Sequence, residues 1–97
     1  MITAQIKNRA LELVEQGRQA VKAYSENDPH PEWIALSSPP PETWAQSNHD
    51  LAVMGKLPGL HAAIKRSLDA KHRERLDAIS EIELRISEIC TLLDIPD

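Results

Sequence analysis

The stretch AISEIELRISEICTLL, residues 78–93, decides the fold, because a set of its apolar residues recurs at alternating steps of three and four positions. This spacing places the apolar side chains on one face of an α-helix and leaves polar residues on the other faces. The apolar face consists of Ile79, Ile82, Ile86, Ile89 and Leu93. Such a face must be buried against another apolar surface, so the stretch predicts helices packed on helices.

Two further helices are predicted before this stretch. The first spans residues 3–25, where apolar residues recur at helical spacing and only Gly17 interrupts the pattern. Gly17 indicates either a close helix crossing or a tolerated glycine, and the sequence leaves both interpretations open. The second helix spans about 41–54, because Pro41 suits the first turn of a helix and Gly55 suits the position after the last turn.

The third predicted helix contains the opening stretch and spans about 59–94, a range without a further proline or glycine after its first residue. A continuous helix of this kind would be about 50 Å long, whereas a compact chain of this size has a radius of gyration of only about 12–13 Å. The helix must therefore bend or break between about Asp69 and Arg75, or project and pack against a second chain. Together the three helices predict an all-α small helical bundle, one domain of residues 1–97, with a proline-rich connection.

Composition narrows the class of protein further. Aromatic residues make up only 3 % of the chain, so we expect a core of Leu, Ile, Ala and Val. The single cysteine, Cys90, cannot form an internal disulfide, and no segment has the features of a signal peptide. No apolar run approaches the roughly 18 residues that cross a bilayer. We therefore expect a cytoplasmic protein that does not enter the membrane.

Signals for catalysis and for metal binding are weak. His61 and His72 share one predicted helix but lie about three turns apart, too far for one metal ion to join them. Cys90 lies in an apolar stretch, where a buried thiol is the ordinary interpretation. The three glycines form no phosphate-binding loop. We therefore expect no catalytic residue, no cofactor and no metal, and we predict that the protein is not an enzyme.

The formal net charge of −4 conceals a strong segregation along the chain. Neither lysine nor arginine occurs between Ala23 and Gly55, while the same segment contains both tryptophans and most of the prolines. Its acids are Glu26, Asp28, Glu32, Glu42 and Asp50. An acidic segment stiffened by proline and equipped with tryptophan favours binding to a basic partner surface.

The sequence therefore predicts a small acidic helical adaptor or subunit that acts by protein–protein interaction. The residues expected to bind the partner are Trp33, Trp44, Glu26, Asp28, Glu32 and Glu42. Trp44 has a second interpretation as a core residue that holds a short helix onto the longer ones.

Two alternative functions remain open. One is a small inhibitor, such as an immunity protein or a phage-encoded anti-defence protein, that blocks a basic groove of its target.

The other alternative is a nucleic-acid-associated protein that uses the basic patch at residues 65–75. The cations of this patch are Lys65, Arg66, Lys71, Arg73 and Arg75. Nearby acids can pair with them, and a negative net charge is unusual for a nucleic-acid binder, so a solvated helix face is the simpler explanation.

Self-association is expected through the apolar face of the third predicted helix, formed by Ile79, Ile82, Ile86, Ile89 and Leu93. The first predicted helix is too short to cover the whole of the third, which favours a homodimer. A bent helix that folds back and completes a monomeric bundle is the alternative.

Overall fold

The computed structural model describes residues 2–26, 34–69 and 72–95, without the side chains of residues 72 and 73. These residues form an all-α small helical bundle, which confirms the predicted fold class. The described helices are α1 (Ala4–Ser25), α2 (Asn48–Met54), α3 (Leu57–Asp69) and α4 (His72–Leu93), and a single 3-10 turn covers Glu42–Trp44. None of the described helices is long and apolar enough to span a membrane.

The first helix agrees with its predicted bounds to within one residue. α1 follows Thr3, whose backbone is extended. Its last residue, Ser25, is followed by the capping residue Glu26, whose N–H bonds to the carbonyls of Lys22 and Tyr24. Its apolar side is buried along its length, as the sequence predicts. The buried residues of α1 are Ile6, Ala10, Leu13, Val14, Gly17, Ala20 and Ala23.

The third predicted helix, 59–94, was expected to bend or break between about Asp69 and Arg75 or to project, and the first alternative is confirmed, because α3 ends at Asp69 and α4 begins at His72. The physical reason is burial: folded back on one another, the two helices cover apolar faces that a single long helix would leave in water. α3 and α4 contact each other more extensively than any other pair of elements. The radius of gyration of 13.3 Å is that of a compact chain of this length.

The second predicted helix, 41–54, is wrong in its first half. α2 begins only at Asn48, because Ser47 is extended and its Oγ accepts a hydrogen bond of 3.1 Å from the backbone N–H of Asp50. This side-chain cap satisfies an N–H that would otherwise lack a partner, and it fixes the start of the helix. Gly55 follows the last residue of α2, as predicted, although its φ of −65° is helical rather than left-handed.

The apolar face of the opening stretch lies inside the molecule. Ile82 and Ile89 are fully buried, and Ile79, Ile86 and Leu93 are between 5 % and 7 % exposed. All five belong to the core that α4 shares with α1 and α3. Burial of these five residues inside their own chain supports the alternative of a bent helix that folds back and completes a monomeric bundle, and self-association through this face stays a prediction that the single chain does not test.

Gly17 lies where α1 crosses α4. A β-carbon at this position would lie 2.9 Å from Ile86 Cδ1 and 3.1 Å from Ile82 Cγ2, closer than real β-carbons normally approach. The structure therefore supports the close helix crossing and not the merely tolerated glycine.

Candidate interaction surface

The proline-rich connection is attached to α1 over residues 34–46, which we call the strap. Its first anchor is Ser37, whose backbone N–H donates to Gln16 Oε1 at 2.9 Å while Gln16 Nε2 donates to Ser37 Oγ at 2.9 Å. The second anchor is Arg9, whose Nη1 donates to the carbonyl of Ser38 at 2.6 Å. Because Ser37 pairs with Gln16 and Ser38 with the earlier Arg9, the strap runs antiparallel to α1.

Trp44 ends the 3-10 turn of the strap. Its side chain is half-buried and packs against the core, as one of its two interpretations expects. The guanidinium carbon of Arg9 lies 5.5 Å from the ring centroid, which is the geometry of a cation–π interaction. Trp44 therefore holds the turn in place, on the same turn as the exposed Glu42, and its contact with a partner stays a prediction.

The structure brings together only part of the predicted partner-binding set. Glu42 and Trp44 lie on the same 3-10 turn. Glu26 is exposed at the end of α1, and its Oε1 is 4.0 Å from Lys22 Nζ. Trp33, Asp28 and Glu32 lie outside the described residues.

A groove on the exposed side of α1 was not predicted. It has a volume of about 700 Å³, and one residue of the strap, Ala35, contributes to its wall. We call it the acidic groove, and its lining consists of Asn8, Leu11, Glu12, Glu15, Gln16, Gln19 and Ala35. One signal could have indicated it: Leu11 falls among the polar positions of α1 and is 37 % exposed. The apolar periodicity of α1 does not account for this leucine.

Glu12 is held in position within the acidic groove. Its Oε2 is 3.4 Å from Arg9 Nε and accepts a hydrogen bond of 3.2 Å from Ser37 Oγ. Glu15 is exposed and makes no ion pair or hydrogen bond with the described residues. The groove therefore contains one carboxylate fixed by the strap and another that is open to solvent.

Asp50, the fifth acid of the segment between Ala23 and Gly55, has a structural role. It is fully buried, and its carboxylate accepts hydrogen bonds from Thr3 Oγ1 at 2.5 Å, Thr3 N at 2.7 Å and Gln46 N at 2.8 Å. The hydrogen bond from the Thr3 hydroxyl is the largest influence that lowers the pKa of Asp50 to about 2, while burial acts in the opposite direction. Asp50 thus joins the start of α1 to the end of the strap, away from any partner.

The predicted basic patch at 65–75 is partly neutralised by contacts inside the chain. Arg66 Nη2 forms an ion pair of 2.8 Å with Glu81 Oε2 on α4. The guanidinium carbon of Arg75 lies 5.4 Å from the ring centroid of Tyr24. Lys65 is exposed, whereas Lys71 and the side chain of Arg73 lie outside the described residues.

His49 and Cys90 have structural contacts within the described residues. His49 Nε2 donates to the carbonyl of Leu92 at 2.6 Å and so ties α2 to the end of α4. Cys90 is fully buried, with Arg18 Nη2 at 4.0 Å from its Sγ. Among the described residues, no group of three or more His, Cys, Asp or Glu side chains could hold a metal ion.

Comparison of the chain with protein-family models, with curated proteins and with solved structures gave no match. The strap, its turn and the acidic groove are therefore the features from which a function can be inferred.

Proposed function

We propose that the protein is a non-enzymatic protein–protein interaction module, a small acidic adaptor or subunit that binds a partner with a basic surface. One observation carries this proposal: the strap is fixed on α1 and presents exposed Glu42 on the same 3-10 turn as the partly exposed Trp44. An acidic side chain on the same turn as a large, pre-positioned aromatic residue is a favourable combination for binding, because tryptophan is strongly enriched among residues that dominate interface energies.

Rigidity of the strap supports the proposal on energetic grounds. Three consecutive prolines, Pro39 to Pro41, restrict the backbone before the turn. The paired hydrogen bonds between Gln16 and Ser37 fix the strap at its other end. Ordering a flexible side chain at an interface costs about 0.5–1.5 kcal/mol. A surface that is already ordered in the free protein avoids most of this cost.

The charge distribution indicates the kind of partner. The whole segment between Ala23 and Gly55 lacks lysine and arginine, so the strap contributes only negative charge to its surface. Exposed carboxylates attract a basic surface over roughly one Debye length, about 8 Å at physiological ionic strength. The association rate should therefore fall as salt is added.

The test begins with purification of the partner on the tagged protein and its identification by mass spectrometry. The affinity of the isolated pair is then measured by calorimetry for the parent and for Glu42→Lys. We expect the reversed charge to weaken binding by about tenfold, because like charges brought together across an interface are strongly unfavourable.

Glu83→Lys is the matched control, since Glu83 is an exposed acid on α4 and makes no contact with the strap. Equal affinity of Glu42→Lys and the parent would rule out the turn as the contact surface. Loss of affinity in both variants alike would indicate a general charge effect. If the partner loses an activity when it is bound, the module acts as an inhibitor.

A further inference from the structure

We propose that the acidic groove is the docking site for a basic segment of the partner protein. In this arrangement an apolar residue of the segment packs on Leu11 and Ala35, while its lysines or arginines meet Glu12 and Glu15. The inference rests on the proposed function, and it adds the location of the contact and the chemistry of the element that binds there.

The dimensions of the groove suit a short peptide segment. Its lining on α1 extends from Asn8 to Gln19, which corresponds to about 17 Å at 1.5 Å per residue. An extended chain covers this distance with about five residues at 3.3 Å each. The wall at Ala35 belongs to the strap, so the groove is built by two elements and exists only while the strap is attached to α1.

The charge of the groove favours a cationic occupant. Among the residues that the structure describes, its lining contains two carboxylates, three side-chain amides and no lysine, arginine or histidine. Arg18 is three positions after Glu15 on α1, but it lines a separate cavity with Glu83 and Ser87 of α4 and forms no ion pair with Glu15. Arg9 is already engaged by Ser38, Trp44 and Glu12. Glu15 is therefore the carboxylate whose charge is least compensated.

Leu11 gives the groove its apolar contact. A single exposed leucine is ordinary on a protein surface, but this one lies in a groove lining that also contains Glu12 and Glu15. An apolar residue packed on Leu11, with cations on the same side of the segment, would bury Leu11 and meet the carboxylates. Because residues two positions apart point to the same side of an extended chain, the pattern expected in the partner is Lys or Arg two positions from a large aliphatic residue.

The test uses two labelled synthetic peptides of about eight residues, long enough to span the groove. One places lysine and leucine two positions apart, so that both side chains face the groove, and in the other every lysine is replaced by glutamate. Fluorescence anisotropy measures their affinity for the protein, and amide chemical shifts of the ¹⁵N-labelled protein map the contact. We expect only the basic peptide to bind, with shifts at Leu11, Glu15, Gln19 and Ala35.

Matched variants make the test specific. Leu11→Ser and Glu15→Gln should each weaken binding of the basic peptide by about fivefold, the order expected for losing one partly buried aliphatic contact or one exposed ion pair. Leu84→Ser and Glu83→Gln make the same chemical changes at exposed positions of α4 and should bind as the parent does. All four sites are exposed, so the variants are expected to remain folded.

The proposal is overturned if the basic peptide does not bind, if it shifts residues elsewhere, or if Leu11→Ser and Glu15→Gln bind it normally. Its failure can be distinguished from failure of the proposed function with the purified partner. If Glu42→Lys weakens partner binding while both groove variants do not, the proposed function as an interaction module is supported and the proposed docking site in the groove is wrong. Should none of these variants change partner binding, neither surface is the contact.

Discussion

Among single residues, Asp50 shows why an acid in an acidic segment need not belong to the binding surface. Its carboxylate receives three hydrogen bonds from two separate parts of the chain, Thr3 and Gln46. These bonds stabilise the charged form, which is why the pKa lies at about 2 rather than at the ordinary 3.8. The sequence analysis counts Asp50 among the acids of the segment but not among the partner-binding residues, and composition alone carries no information on its burial.

The lowered pKa of Asp50 predicts an acid-dependent loss of stability. Because the folded pKa is below the unfolded one, the carboxylate stabilises the fold fully above about pH 4, and this contribution disappears as the pH falls towards 2. Asp50→Asn should therefore lower the free energy of unfolding at neutral pH. It should also flatten the pH dependence below 4. Urea unfolding followed by circular dichroism across this range measures both effects.

Asp77→Asn is the control, because Asp77 is exposed on α4. Some acid dependence should remain in Asp50→Asn, since the hydrogen bond from Lys56 also lowers the pKa of Glu88. Identical pH profiles for Asp50→Asn and the parent would contradict the role given to Asp50.

Among elements, the crossing of α1 and α4 depends on the absence of a side chain at Gly17. The nearest atoms, Ile86 Cδ1 and Ile82 Cγ2, belong to the face that the opening stretch predicts as core. Helix periodicity therefore identifies both faces, but it does not show that they meet at this glycine. A glycine costs roughly 1 kcal/mol of helix propensity relative to alanine, and the close packing offsets that cost.

Gly17→Val should destabilise the protein by about 1–3 kcal/mol, the usual effect of forcing extra methyl groups into a packed core. Chemical denaturation measures the change in the free energy of unfolding. Gly55→Val is the matched control, because Gly55 is exposed and a β-carbon there would meet only backbone carbonyls of its own helix, at 3.3 Å and beyond. An equal effect of both substitutions would mean that the crossing does not require the glycine.

Elements formed by interactions between residues close in the sequence could be predicted, whereas those formed by distant residues could not. The apolar period predicts α1 almost to the residue, because it depends on neighbours three and four positions away. The start of α2 was missed because the Ser47 cap outweighs the proline signal at Pro41. The strap could not be predicted, since the pairing of Gln16 with Ser37 joins polar residues 21 positions apart without any periodic pattern.

Only part of the candidate site was foreseen from the sequence. Glu42 and Trp44 were expected to contact a partner, and they do share one turn of the strap. The acidic groove was not foreseen, because its wall exists only after the strap has folded onto α1. Leu11 alone departs from the helical pattern strongly enough to have indicated it.

At the scale of the whole molecule, burial of the α4 face determines what the isolated chain should do in solution. Ile82 is fully buried among residues of its own chain, so its truncation should lower the free energy of unfolding by about 2–5 kcal/mol without any partner copy. We therefore expect Ile82→Ala to unfold at a lower temperature than the parent, with a midpoint that does not depend on protein concentration. In light scattering, the parent and Ile82→Ala should both have the mass of a monomer, near 10.9 kDa. Leu84→Ala is the control, since Leu84 is 58 % exposed and should cost little. A mass of twice this value that falls to the monomer mass in Ile82→Ala would instead show that the face of α4 opens and joins two copies.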